Sequence, residues 1–97
     1  MTEQERGVAH HVKDLAYQSA LYRMEPPVEE ADERGEDHTF EHVIVMSRTG
    51  AYGPETVIYP GNSTGHVTLA LELAGTFRGG LSHAEALDLA GYELADD

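Results

Sequence analysis

Histidine is the residue type in this sequence with the most evident metal chemistry, since the 97-residue chain has six histidines and no cysteine. His10 and Asp14 would share one face of a helix, but two ligands are too few for a zinc site. His38 and His42 have a similar spacing, yet in a strand they would lie about 13 Å apart. His42 and His66 would be neighbours only if the first and third strands were adjacent, which they are not in a simple meander. We therefore predict no metal site.

Ser82 and His83 are the residue types of a nucleophile and its base, but they are adjacent. Adjacent side chains on a helix point about 100° apart, and Ser82 is better placed to cap a helix than to attack a substrate. Carboxylates are clustered only in two segments that we expect to be solvated, where nothing raises a carboxyl pKa into the range of a general acid. We expect no catalytic residue, no cofactor and no enzymatic activity.

The tract Arg78-Gly79-Gly80 lies directly before the predicted helix at Ser82. Exposed backbone amides, a helix start and a guanidinium can together hold a phosphate or a carboxylate. The glycine spacing matches neither the P-loop nor the dinucleotide-binding fingerprint. We favour a plain glycine turn here, with an anion site as the alternative.

The formal net charge of −12 is confined to two segments. Residues 25–41 hold eight acids against Arg34, a net of −7, and residues 82–97 hold five acids and no base, a net of −5. If the acids served only to make the whole surface acidic and soluble, they would be spread along the chain. Their confinement to two segments disfavours that interpretation. Nucleic acids and anionic membranes are excluded as direct partners because the acids and the phosphates repel. Residues 25–41 are either a solvated linker or an arm that docks on a basic surface.

The positions 8, 12, 15, 19 and 22 step by four and three residues, which is the pattern of an amphipathic helix. We predict this helix from Gln4 to Met24, ended by Pro26-Pro27. It is apolar on more than one face, so residues 8–22 could pack on the chain's own sheet or form a homo-oligomer. Residues 25–38 are predicted as an acidic linker or arm.

Residues 39–97 are predicted to form a small domain. The expected strands cover residues 40–47, 55–59 and 66–73, with turn chemistry at residues 60–65. Ser82 and Glu85 form a capping box that starts a helix at residues 83–90, and Gly91 can adopt the left-handed cap that ends it. Tyr92-Glu93-Leu94 can add a fourth strand at the edge. The predicted fold class is α+β: an N-terminal helix of residues 1–24, an acidic arm, and a three-stranded antiparallel meander covered by a short C-terminal helix.

Four motifs within residues 40–94 carry a resemblance. They are Gly53-Pro54-Glu55-Thr56 before the strand that ends at Tyr59, the tract Gly75-Thr76-Phe77-Arg78-Gly79-Gly80-Leu81-Ser82-His83, Ala86-Leu87, and Gly91-Tyr92. Together they resemble a pattern in small early proteins of actinobacterial phages. That family has no assigned activity, so no catalytic residue is carried over. The resemblance implies a phage-encoded protein that acts on a host component.

These observations favour a non-enzymatic protein that binds and modulates or inhibits a host protein in the cytosol. Its acidic surfaces would cover a basic, nucleic-acid-binding site. The predicted acidic contacts are Glu29, Glu30, Asp32, Glu33, Glu36 and Asp37, and the predicted apolar anchors are Tyr17, Leu21, Tyr52 and Phe77. Two alternatives stay open. One is an antitoxin-like or scaffold partner whose first helix and arm fold onto a cognate protein, and the other is a small anion-binding domain or enzyme that uses the Arg78-Gly79-Gly80 loop.

Overall fold

In the computed structural model, the chain forms one five-stranded mixed sheet with a single short helix among the described residues. The structure describes residues 7–16, 18–51, 53–69, 71–73, 76 and 79–95. The elements are β1 (Gly7–Leu15), β2 (Ser19–Ala31), β3 (Asp37–Gly50), β4 (Gly53–Gly61), α1 (His83–Leu89) and β5 (Tyr92–Leu94). The strand order is β4-β3-β2-β1-β5. The first four strands form an antiparallel meander, and β5 pairs in parallel with β1.

The sheet is curled, and both of its faces are buried near its centre. On one face, Tyr22 and Val43 belong to a core cluster that includes Leu87 of α1. On the other face, Leu21 pairs with Ile44, and both are almost completely buried. The glycine turn after β4 covers this second face. A Cβ on Gly61 would lie 3.0 Å from the Ile44 side chain, and one on Gly65 would lie 2.9 Å from the Leu15 side chain.

The predicted N-terminal helix is wrong, and so is the α+β class, because the described chain is mostly β. Residues 7–15 form β1, and residues 19–24 form the first half of β2. Residues 19–22 are buried on both faces of the sheet, so the alternation that marks a half-buried strand is missing. The apolar spacing then fits a helix equally well. Within this region, β1 pairs with β2 and β5, and β2 pairs with β1 and β3, so both are integral to the sheet and not an appended helix.

The predicted third strand at residues 66–73 is also wrong. Among its described residues only Val67 forms a bridge, an isolated one to Gly61. The segment instead runs along the outer edge of β4 and makes scattered hydrogen bonds to it. The amide of Leu73 donates to the Ile58 carbonyl at 2.8 Å, and the Ile58 amide donates to the Thr76 hydroxyl at 3.1 Å. Such irregular cover protects a sheet edge without adding a strand to it.

The other predicted strands and the C-terminal helix are confirmed. The strands expected at residues 40–47 and 55–59 lie within β3 and β4, and residues 92–94 form β5. The α1 helix begins at the predicted capping box: the Glu85 amide donates to the Ser82 hydroxyl, and the Ser82 amide donates to the Glu85 carboxylate. Gly91 has the positive φ, 94°, that follows a helix end.

Ser82→Ala is expected to lower the free energy of unfolding by about 1 kcal/mol, because it removes the acceptor for an amide in the first turn of α1. Chemical denaturation measures the change. Ser63→Ala, in the exposed turn after β4, is the matched control and should change stability by less than about 0.5 kcal/mol. Equal effects of the two substitutions would contradict the role of the capping box.

Leu87→Ala is expected to destabilise the protein by about 2–5 kcal/mol, since Leu87 is completely buried between α1 and the sheet. Leu89→Ala in the same helix is the control, because the Leu89 side chain is 57% exposed. Thermal or urea unfolding of both variants tests whether α1 packs on the sheet by its Leu87 face. A larger loss for Leu89→Ala would mean that the helix is rotated.

Candidate functional site

The acidic arm, defined as residues 25–41, is the distal half of the β2–β3 hairpin. The ladder between β1 and β2 ends at the Val8–Glu25 pair, and the ladder between β3 and β4 ends at the His42–Gly61 pair. Beyond these pairs, and among the described residues, β2 and β3 form ladder pairs only with each other. The segment predicted as a linker or arm is therefore a two-stranded ribbon that extends past the described ends of both neighbouring strands.

A bulge lies at the base of the acidic arm. Residues 24–27 of β2 lie opposite the single residue Glu41 of β3. Pro26 and Pro27 have no amide hydrogen to donate to a ladder, so regular pairing is interrupted here. The Tyr92 hydroxyl of β5 donates to the Pro26 carbonyl at 2.7 Å and fixes the bulge to the sheet.

The inner face of the acidic arm continues the hydrophobic core. Val28 pairs with Phe40, and both pack against the core cluster. The His38 ring stacks on the Phe40 ring with the centroids 5.9 Å apart, and His38 lies across the ladder from Glu30. Isolated two-stranded ribbons are marginally stable in water, so this packing is what keeps the arm ordered.

Asp32 organises the turn at the tip of the arm. Its Oδ1 accepts hydrogen bonds from the Arg34 amide at 2.8 Å and the Glu36 amide at 3.0 Å, while its Oδ2 bonds His38 Nε2 at 2.8 Å. The His38 bond and then the amide bonds hold the pKa of the Asp32 carboxyl below its usual range. Gly35 supplies a positive φ of 82° in this turn.

Asp32, Glu36 and His38 form the trio of potential metal ligands found among the described residues, with one donor atom of each within 4.8 Å of the others. The sequence does not predict this trio as long as residues 25–38 are interpreted as a linker without strands. The signal that could have found it is the Asp32 to Gly35 turn between Val28 and Phe40. Asp32 already uses both oxygens to hold the turn, so we assign it a structural role.

The predicted acidic contacts separate into two groups. Glu30 and Asp32 are half-buried on the inner face, where Asp32 holds the turn. The remaining predicted acids are exposed, as is Glu41: Glu29, Glu33, Glu36 and Asp37. Glu29 and Asp37 belong to the outer face because strand residues alternate between faces. The charged side chains on the outer face and tip of the arm are therefore all acidic except Arg34.

Of the four predicted apolar anchors, the structure describes one. Leu21 is completely buried in the core and offers no surface to a partner. Tyr17, Tyr52 and Phe77 lie outside the described residues. The alternative of an antitoxin-like partner that folds through its first helix loses that helix, because residues 7–15 and 19–24 lie in strands.

The Arg78-Gly79-Gly80 tract is described only in part, since Arg78 lies outside the described residues. Gly79 and Gly80 are exposed, and Gly80 has a positive φ of 68° beside Pro54. The next amide, that of Leu81, donates to the Thr56 hydroxyl at 2.8 Å, so it is not available to an anion. These observations fit the glycine turn that the sequence favours.

Arg48 lies in the same groove as Gly80, and it is bound to acidic and polar groups. Its Nε donates to Glu55 Oε1 at 2.6 Å, and its Nη1 donates to the Tyr59 hydroxyl at 3.3 Å. These bonds raise the pKa of Arg48, with the Glu55 bond as the largest cause. The carboxylate of Glu55 already occupies the position at this guanidinium that an incoming anion would take.

The other histidines make local structural contacts. His10 bonds Glu25 at 3.1 Å and His11 bonds Asp14 at 2.9 Å, so His10 and Asp14 do not share the helix face that the sequence pattern indicated. His66 bonds the Thr64 hydroxyl at 3.0 Å within the turn after β4. His42 lies opposite Gly61 in the ladder between β3 and β4.

His83 joins α1 to the turn between β1 and β2. Its Nε2 donates to the Gln18 carbonyl at 3.1 Å, so its Nδ1 accepts from the Tyr22 hydroxyl at 3.2 Å. Burial, with a smaller contribution from Asp14, raises the pKa of Tyr22. Ser82 meanwhile caps the helix. Ser82 and His83 therefore start α1 and hold it on the sheet, and their arrangement is not that of a nucleophile with its base.

Comparison of the chain with protein-family models, with curated proteins and with solved structures finds no match. The resemblance to small proteins of actinobacterial phages stays a prediction. Within the described part of the chain, no helix combines the length and apolar character that a membrane crossing requires.

The Asp32 carboxyl is expected to titrate below the usual aspartate range in an NMR pH titration, since its ionised form accepts three hydrogen bonds. Because the pKa of Asp32 is lower in the folded state, its ionised carboxyl stabilises the arm at pH values above the pKa of Asp32 in the unfolded chain. This stabilisation is lost as the pH falls through the folded-state pKa. The amides of Arg34 and Glu36 should then lose protection from hydrogen exchange.

Asp32→Asn is the control for this prediction, because it keeps an oxygen acceptor for the two amides but has no titrating charge. In this variant, the protection of the Arg34 and Glu36 amides from hydrogen exchange should stay unchanged over the pH range in which Asp32 titrates in the parent. An ordinary aspartate pKa for Asp32, or the same acid transition in Asp32→Asn, would contradict the assignment.

Proposed function

We propose that this protein is a non-catalytic binding protein whose acidic arm docks on a basic surface of another protein and modulates or inhibits it. A nucleic-acid-binding surface of a host protein in the cytosol is the target class that fits best. The observation that carries the proposal is the ordered arm with acids exposed on its outer face and tip: Glu29, Glu33, Glu36, Asp37 and Glu41.

The arrangement of the acids supports the proposal. Glu29 lies opposite Thr39, and along β3 the outer-face residue Asp37 and the exposed residue Glu41 each lie two residues from Thr39. Strand geometry separates such neighbours along one strand by about 7 Å. The row therefore repeats negative charge along an extended backbone, as a nucleic acid strand does. A protein that binds phosphates through Lys and Arg would meet a similar field.

The order of the arm supports the proposal as well. Asp32 and His38 fix the tip, and the packing of Val28 and Phe40 fixes the inner face. A disordered acidic segment would lose conformational freedom on binding, which weakens affinity. A preformed arm avoids most of that loss, so its charges can contribute to both association rate and affinity.

The arm variant Glu29→Gln/Asp37→Asn/Glu41→Gln tests the proposal. We expect association with the partner to slow by about tenfold and to depend less on salt, because long-range attraction steers charged partners together. The melting temperature should not fall, since all three residues are exposed. The control variant Asp14→Asn/Glu72→Gln/Glu93→Gln removes the same number of exposed charges outside the arm and should associate like the parent.

The partner is first identified by capture from an actinobacterial lysate on the parent, the arm variant and the control variant at low and high salt. The proposal requires a host protein that the parent and the control retain and the arm variant loses. The purified host protein then gives the association rates, and displacement of its nucleic acid tests the inhibition. Equal capture by all three proteins, or salt-sensitive sub-micromolar binding of the parent to plain duplex DNA, would contradict the proposal.

A further inference from the structure

The outer side of α1 is more apolar than a solvated helix face needs to be. The helix buries Ala86 and Leu87 against the sheet and turns Ala84 and Leu89 outward. Leu89 is 57% exposed, the highest value among the large apolar residues that the structure describes. One exposed leucine is ordinary on a protein surface, so the surroundings of Leu89 decide whether it has a role.

Two grooves flank the outer side of α1 and meet along it. One groove, about 650 Å³, lies between α1 and β5, where Val8 and Leu94 contribute apolar side chains. The other, about 460 Å³, lies beside Leu81 and Leu89. Ala84 and Asp88 line both, so the two grooves form one surface across the helix. The α1–β5 face is defined here by its lining residues: Val8, Leu81, Ala84, Glu85, Asp88, Leu89, Tyr92, Glu93, Leu94 and Ala95.

The charges on the α1–β5 face all have one sign. Its ionisable carboxylates are Glu85, Asp88 and Glu93, and no Lys or Arg is among the described residues that line it. Hydrogen bonds from Ser82 lower the pKa of the Glu85 carboxyl below its usual range. An apolar centre with an acidic border fits a ligand with apolar side chains flanked by positive charges.

We propose that the α1–β5 face docks a basic amphipathic helix of a partner protein. Leucine-like side chains of that helix would enter the grooves on the two sides of α1, and its Lys or Arg residues would meet Glu85, Asp88 and Glu93. A second copy of this chain fits poorly, because a twofold contact places the same acids against each other. This face shares no residue with the acidic arm, so the inference does not depend on the arm's proposed role.

The test uses a fluorescent synthetic peptide of about 14 residues, made of Leu and Lys with all Leu on one helical face. Two control peptides are a shuffled sequence without that face and a version with Glu in place of Lys. Fluorescence anisotropy should show binding of the amphipathic Leu/Lys peptide and much weaker binding of both controls. If the parent does not prefer the amphipathic Leu/Lys peptide, the proposal is overturned.

Two double variants locate the binding site. Leu89→Ser/Leu94→Ser should weaken binding of the amphipathic peptide at least tenfold. Val12→Ser/Val67→Ser is matched in exposure, since Val12 is 46% and Val67 44% exposed, and it should weaken binding less than twofold. The arm variant described above should bind within threefold of the parent. Equal binding by parent and face variant, or a loss in the arm variant instead, would overturn the proposal.

NMR mapping on the unmodified protein gives a readout that does not depend on any variant folding. The amide signals of Ala84, Asp88, Leu89 and Leu94 should shift when the amphipathic peptide is added. Shifts confined to residues 25–41 would contradict the proposal. Sedimentation of the free protein should show no concentration-dependent dimer that Leu89→Ser/Leu94→Ser abolishes. Such a dimer would assign the face to a second copy instead.

Discussion

The antiparallel ladder between β2 and β3 is the interaction on which the rest of this structure depends. It lies at the centre of the sheet, and its pairs contribute to both buried faces: Tyr22 with Val43 on the side of α1, and Leu21 with Ile44 on the other. The same two strands then continue past their neighbours as the acidic arm. One hairpin thus supplies the core and the candidate functional surface, and the order of the arm is inherited from the packing of the hairpin's base.

Local signals in the sequence predicted the elements that local physics determines. The capping box at Ser82, the left-handed Gly91 and the apolar run within β3 were each confirmed. The prediction for the N-terminal half of the chain is wrong because burial on two faces removes the strand periodicity, and an apolar run of that kind fits a helix or a strand. Pairing with strands that are distant in the sequence makes it a strand. No feature within residues 8–22 could show that β3 and β5 lie on either side of them.

The predictions about the candidate site divide in the same way, into those that local sequence supports and those that it does not. Composition alone located the acidic segment, in which Glu29, Glu33 and Asp37 are exposed. The inward positions of Glu30 and Asp32 follow from the hairpin register, which composition does not contain. The α1–β5 face was missed because the search for apolar anchors favoured aromatic residues, whereas the exposed apolar side chains here are leucines on and beside a correctly predicted helix.

Because of the bulge at residues 24–27, the length of the arm and the register of the core ladder are independent of each other. A slip of one residue in a continuous ladder would exchange the two faces of every residue along it. Here the regular ladder stops on the core side of the prolines and resumes at Val28. A pair of residues added or removed on each strand beyond the bulge would lengthen or shorten the arm by about 7 Å and leave the core pairs unchanged. The reach of the acidic surface can therefore diverge among related sequences without cost to the fold that carries it.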